Sequence, residues 1–189
     1  GRFINMNLPT EIQILKLVIT KLEELDIPYM LSGSVASSFY AQPRMTRDID
    51  IVIELAAEQI PKITEEFSAD FYIDENDVDK AVQLQSMFNI IHYQAVVKID
   101  FIVRKNSPYR LLEFERRVEK AIADFALWVV SPEDLIISKL FWARDSKSEL
   151  QLNDVSSIIK YQAEKLDWEY IEYWVKELGL GQIWGEIEK

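Results

Sequence analysis

Two aspartates, Asp48 and Asp50, stand two apart in an apolar run, Asp48-Ile49-Asp50-Ile51-Val52-Ile53. The β-branched neighbours read as a strand, Asp48 to Glu54. Side chains alternate faces along a strand, so both acids point the same way. A third acid, Asp100, lies in a second such run, Lys98-Ile99-Asp100-Phe101-Ile102-Val103. The apolar neighbours predict that these acids are buried, and buried carboxylates are costly unless paired or bound to a cation. Three of them converging on one sheet face form what a Mg²⁺ and nucleoside triphosphate (NTP) site needs. An ion pair with Arg44 or Arg47 is the plainer account of Asp48 and Asp50.

Gly33-Ser34 precedes Asp48 by fifteen residues. Glycine lets a backbone approach a phosphate closely, and a serine with the following amides at a helix start can bond phosphate oxygens. A Gly-Ser pair alone is merely a turn; its place ahead of the Asp-x-Asp pair, with a helix between, makes it a candidate nucleotide site. Arg47 directly precedes the acids, Lys98 shares a strand face with Asp100, and Lys139 lies on a later helix. Each could neutralise a triphosphate, or form an ordinary surface ion pair.

Gly33-Ser34, Asp48-Ile49-Asp50 and Asp100 together resemble the nucleotidyltransferase superfamily of the polymerase-beta type. The closer likeness is to small prokaryotic minimal nucleotidyltransferases and AbiEii-like proteins, over residues 28 to 160. Ser131-Pro132-Glu133-Asp134-Leu135-Ile136-Ile137-Ser138-Lys139-Leu140 and Ser148-Glu149-Leu150-Gln151-Leu152-Asn153-Asp154-Val155 look like their later stretches. The resemblance implies that Asp48 and Asp50 hold a Mg²⁺ ion gripping the triphosphate. It implies that Asp100 is the general base, or helps hold a second ion that activates the nucleophile. Gly33, Ser34, Arg47, Lys98 and Lys139 would bind the nucleotide, with ATP the favoured NTP. Lys139 matches a functional lysine of AbiEii-like proteins. Asp154 matches a later acid, although the Arg-Asp-x-x-Asp form common there is replaced by Leu150-Gln151-Leu152-Asn153-Asp154.

The expected activity is Mg²⁺-dependent transfer of a nucleoside monophosphate (NMP) from an NTP to a hydroxyl. The acceptor could be a tRNA or other RNA end, a protein or a small molecule. The alternative is a regulatory or interaction module with a toxin or antitoxin partner.

The positioning elements follow from periodicity and punctuation. Thr10-Glu11-Ile12-Gln13 reads as a capping box opening a helix with Leu15, Val18, Ile19, Leu22 and Leu25 on one face. Tyr29 to Leu31 reads as a strand, Val35 to Tyr40 as a short helix, and Ile60, Ile63 and Phe67 as the face of another. Residues 68 to 79 are acidic and turn-like. Met87 to His92 and Val96 to Val103 are expected as antiparallel strands, 109 to 119 as a charged helix, and Ile122 to Phe125 and Trp128 to Val130 as short strands. Ser131-Pro132-Glu133-Asp134 is a strong helix start. Asp167 should cap a helix from Trp168 to Leu178 that Gly179 ends.

The fold class expected is α+β: a small mixed β-sheet of the nucleotidyltransferase type flanked by helices, then a helical C-terminal part. The boundary falls near 130, giving a core over 1–130 and a helical region over 131–189 packed on it.

Composition narrows the function classes. The chain has 189 residues, 49% hydrophobic, which suits one well-cored unit. No cysteine and one histidine, His92, argue against a thiolate or zinc centre. His92 reads as structural. No membrane-spanning run or secretory signal is visible, and a cytoplasmic protein is expected. A net charge of −11 opposes broad binding to nucleic acid. Within it, residues 104 to 120 set Arg104, Lys105, Arg110, Arg116, Arg117 and Lys120 against Glu113, Glu115 and Glu119. That segment is either a basic patch or a helix face laced with ion pairs. Trp168, Tyr170, Tyr173, Trp174 and Trp184 fall on amphipathic helices, as core or a dimer surface rather than a base-stacking platform.

Overall fold

The structure, a computed structural model, describes residues 8–44, 46 and 48–187. Among these residues seven strands form one mixed sheet: β1 (Tyr29–Ser32), β2 (Asp48–Ile53), β3 (Phe71–Tyr72), β4 (Met87–His92), β5 (Lys98–Val103), β6 (Val118–Ile122) and β7 (Phe125–Val129). Their spatial order is β3-β4-β5-β2-β1-β7-β6. The two acid-bearing strands, β2 and β5, lie parallel at its centre, with Asp50 opposite Asp100 and Asp48 opposite Lys98. β1 runs antiparallel to β2 and sets Ser32 opposite Asp50.

Alternation fixes which face carries chemistry. Ile49, Ile51 and Ile53 are fully buried against the core, which leaves Asp48, Asp50 and Val52 on the opposite face. A one-residue slip of β2 would drive both acids into that core, so the apolar set defends the register. The core includes Leu15, Val18 and Leu22 of α1 (Thr10–Glu24) and Ile63 and Phe67 of α3 (Ile60–Ser68). Phe67 meets Phe101 of β5 edge-on at 5.6 Å between ring centroids.

Helix α2 (Gly33–Ser37) starts at the residue after β1. The later helices are α6 (Pro132–Ser146), α7 (Glu149–Gln162), α8 (Trp168–Glu177) and α9 (Gly181–Gly185). Ser131 Oγ accepts the Asp134 amide at 3.1 Å and opens α6. Asp167 accepts the Tyr170 amide at 3.0 Å and opens α8. Gly179, at φ +68, reverses the chain, and the Leu180 amide returns to the Val175 carbonyl at 2.8 Å. No helix among the described residues is long and apolar enough to cross a membrane.

Local expectations fail in four places. Thr10 is the first helical residue and not its cap: Pro9 stands at the N-cap, and Gln13 Nε2 donates to the Leu8 carbonyl at 2.7 Å. The acidic stretch over 68–79 holds β3 and the start of α4 (Glu75–Leu84). Its acids serve a helix terminus, because Asp74 accepts the amides of Asn76 and Asp77. α2 begins at Gly33 and ends at Ser37, shorter and earlier than Val35 to Tyr40. The helix expected over 109–119 is α5 (Pro108–Glu115), and β6 has begun by Val118. Ile122 to Phe125 is therefore the β6–β7 hairpin connection, where Ala123 takes φ 50.

Candidate active site

At Gly33 the backbone passes close to a carboxylate. It takes φ +65, and a Cβ there would collide with the Asp50 carboxylate. Glycine is required on both counts. Asp50 in turn stands beside Asp100. Burial first, then the charge of Asp100, a hydrogen bond between the two carboxyls and the charge of Asp48 push Asp50 up to about 6. Two adjacent carboxylates in a half-dry site hold a proton between them, or are neutralised by a cation.

Asp100 is 7% exposed, and its buried Oδ1 has no hydrogen-bond partner. The Lys98 ammonium lies 3.5 Å from that oxygen and 3.9 Å from Asp48. Burial of Asp48 is not found: it opens β2 at the sheet's end and is exposed. Among the described residues no three carboxylate, imidazole or thiolate groups form a ready-made metal cage. The side chains that meet are Asp50 and Asp100. A buried oxygen without a hydrogen bond, faced by one ammonium at 3.5 Å, and a carboxyl held up by burial and a like charge are what a divalent cation would relieve, so this pair fits Mg²⁺, with Asp48 at its rim.

A second cluster joins the acids from the side of α2. Arg44 Nη2 donates to Ser34 Oγ. The same guanidinium clasps Asp154 of α7, Nε to Oδ1 at 3.2 Å and Nη2 to Oδ2 at 3.1 Å. Lys139 of α6 donates to Asp154 Oδ2 at 2.8 Å and to Gln151 Oε1 at 3.1 Å. Burial lowers the Lys139 ammonium despite the pull of Asp154. Burial alone would raise Asp154, but hydrogen bonds from Arg44 and Lys139 outweigh it and hold the carboxyl below its ordinary range. Both groups move down for opposite reasons: burial disfavours the charged form of Lys139, while two cations favour the charged form of Asp154. The Lys139 charge also acts on Asp50.

The sequence therefore placed Ser34, Lys98, Lys139 and the acids near one another, and undervalued Arg44. Arg44 pairs with neither Asp48 nor Asp50. The available signal was that only two cations, Arg44 and Arg47, lie between Ser34 and Asp48. Arg47 lies outside the described residues.

The arginines of the basic segment are spent on internal ties. Arg104 pairs with Glu54 at 3.2 Å, Arg110 with Glu113 at 2.9 Å, and Arg116 with Glu133 and Asp134 at 3.1 Å. Arg117 donates to the Phe114 carbonyl at 2.8 Å. His92 Nδ1 accepts the amides of Gln94 and Ala95 and shapes the β4–β5 turn, a structural role. Trp184 is buried and Trp168, Tyr170 and Trp174 pack on the core, whereas Tyr173 is exposed.

A mixed sheet with helices and a helical C-terminal part is a nucleotidyltransferase-like fold. The chain is similar to a nucleotidyltransferase-like protein from Paracoccidioides brasiliensis, described as antigenic, at TM-score 0.57 and 18% identity over 79% of this chain and 75% of that one. It is similar to the antibiotic-resistance factor ANT(2'')-Ia at TM-score 0.61 and 12% identity, over 94% and 98% of the two chains. It is similar to the lincosamide antibiotic adenylyltransferase LnuA, solved with lincomycin, at TM-score 0.51 and 14% identity, over 76% and 93%. No curated protein matches the sequence. The family model described as nucleotidyl transferase AbiEii toxin, type IV toxin–antitoxin (TA) system, matches residues 20–149. The chain belongs to this AbiEii nucleotidyltransferase family, and it is a nucleotidyltransferase.

Proposed function

We propose that the protein transfers an NMP from an NTP, with ATP the favoured donor, to a hydroxyl acceptor, with Mg²⁺ bound at Asp48, Asp50 and Asp100. The observation that carries this reading is the pairing of Asp50 and Asp100 on adjacent central strands beneath Gly33. Mg²⁺ when bound supplies positive charge to the phosphate oxygens and to the acceptor oxygen. Asp100 takes the acceptor's proton as its oxygen forms a bond to the α-phosphorus. The bond from that phosphorus to the bridging oxygen breaks, and pyrophosphate leaves. Gly33, Ser34, Arg47, Lys98 and Lys139 bind the nucleotide, with the cations neutralising its triphosphate.

Two observations bear on the acceptor. The segment 104–120 is spent largely on internal ties, and the chain is strongly acidic. Both favour a single presented hydroxyl (an RNA end such as that of tRNA, a protein side chain or a small molecule) over a duplex tracked along its backbone. The antibiotic adenylyltransferase likeness supports a small molecule as one member of that set. The type IV toxin–antitoxin family supports a second reading, in which the protein works as a regulatory or interaction module with a toxin or antitoxin partner.

The test is thermal-shift titration with each NTP, with and without Mg²⁺, on wild type and Asp50→Asn. A ligand bound only by the native state raises its melting temperature, by an amount set by about 2.7 kcal/mol at a hundredfold excess over Kd. The expected result is a Mg²⁺-dependent shift in wild type and none in the variant. An equal shift in both removes Asp50 from the site.

A further inference from the structure

We infer that Arg44 is a ligand of the pyrophosphate portion of the bound NTP, presented to it by Asp154. The inference rests on the nucleotidyl-transfer reading of this site and adds to it a residue and a subsite. It follows from a count of hydrogen-bond donors.

A guanidinium has five N–H donors. Arg44 spends Nε–H and one Nη2–H on the two oxygens of Asp154, and the other Nη2–H on Ser34 Oγ. Both Nη1–H donors find no acceptor among the described residues. Lys139 spends two of its three donors, on Asp154 and Gln151. Ser34 Oγ accepts from Arg44, so its own hydrogen is available to donate. Arg44, Lys139 and Ser34 thus keep donors in hand, and hydrogen bonds through Asp154 and Arg44 tie the three into one cluster. Two cations and a hydroxyl so joined, with the guanidinium open to solvent, suit a phosphate group.

The position is right for the leaving group. The reacting phosphorus belongs at the acids. Asp50 lies beside Gly33, and the next residue, Ser34, accepts from Arg44, so acids and cations meet across the Gly33-Ser34 turn. The part of an NTP richest in negative charge is the part that leaves, and cations there stabilise the charge it gains. Arg44 is also the reachable member of the pair: its side chain is 32% exposed, against 4% for Lys139. Asp154 grips the Nε–Nη2 edge side-on and so fixes the plane in which Nη1 points. Two parallel bonds hold a planar fork in a way a lysine cannot imitate.

Calorimetric titration of wild type, Arg44→Gln and Arg44→Lys with inorganic pyrophosphate in Mg²⁺ buffer tests this, with circular dichroism to confirm folding. Charge-assisted bonds of this kind set the expected loss in Arg44→Gln at about 10–100-fold in Kd. Arg44→Lys, which keeps the charge and loses the fork, should fall between. Wild-type affinity in a folded Arg44→Gln overturns the inference and leaves the nucleotidyl-transfer reading intact. A wild-type protein that binds neither ATP nor pyrophosphate overturns both.

Discussion

Replacing Gly33 with alanine tests the close approach of backbone to carboxylate in the site. The residue sits at φ +65, where an L side chain costs about 1–2 kcal/mol. The added methyl would also fall on Asp50, whose Cγ and Cβ would stand at 2.8 and 2.9 Å from it. Forcing an atom into such a space costs about 1–3 kcal/mol. Alanine returns about 0.4–1 kcal/mol by restricting the unfolded chain. The balance is a loss of about 3 kcal/mol, or a fall of about 6–12 °C in Tm for a chain of this size. The cause can be separated by a double-mutant cycle in urea with Asp50→Ala, which removes the carboxylate but leaves its Cβ. The backbone cost persists in the double mutant and part of the collision does not, so a coupling of about 1 kcal/mol or more is expected. A coupling below about 0.5 kcal/mol, or a Gly33→Ala protein as stable as wild type, refutes the claim that glycine is required to make room for Asp50.

Two further perturbations follow. Asp134 is fully buried and accepts from Tyr109, Tyr170, Ser131 and Arg116, so Asp134→Ala should cost about 3–5 kcal/mol in a urea melt, and a loss under about 1 kcal/mol would show those donors re-paired. Asp154 is held below its ordinary range by donors that outweigh its burial, so its stabilisation is complete above the unfolded pKa of about 3.9 and drains away as pH falls through that value and below. The gap in unfolding free energy between wild type and Asp154→Asn should therefore narrow between about pH 6 and pH 3. A gap that widens on acidification contradicts it.

What the sequence revealed was what neighbours in the chain decide. The alternation of Ile49, Ile51 and Ile53 with the acids announces both a strand and its faces. Ser131-Pro132 announces a helix start because a cap is a matter of a few residues. The stretch from Asp70 to Asp79 misleads for the same reason: acids that solvate a turn and acids that cap a helix look alike until Val78 and Ala81 are seen buried behind them. Asp48 and Asp50 share a strand face, but nothing local says that one stands at the sheet's rim. The Arg44–Asp154 clasp joins residues 110 apart, and no periodicity reports such a meeting. The basic segment shows the converse. Its charges were visible, and only the fold shows that Glu54, Glu133 and Asp134 come to meet them.

The order of synthesis gives the Asp154 clasp another meaning. The ribosome finishes Asp48, Asp50 and Asp100 well before it reaches Lys139 and Asp154. A chain still being made therefore has its acids in place while Arg44 lacks the carboxylate that aims it and the buried lysine has not yet been added. The helices that follow the sheet supply the last members of this cluster. A polypeptide released before α6 and α7 carries Asp50, Asp100 and Lys98 but neither Lys139 nor Asp154, so Arg44 lacks the carboxylate that clasps it.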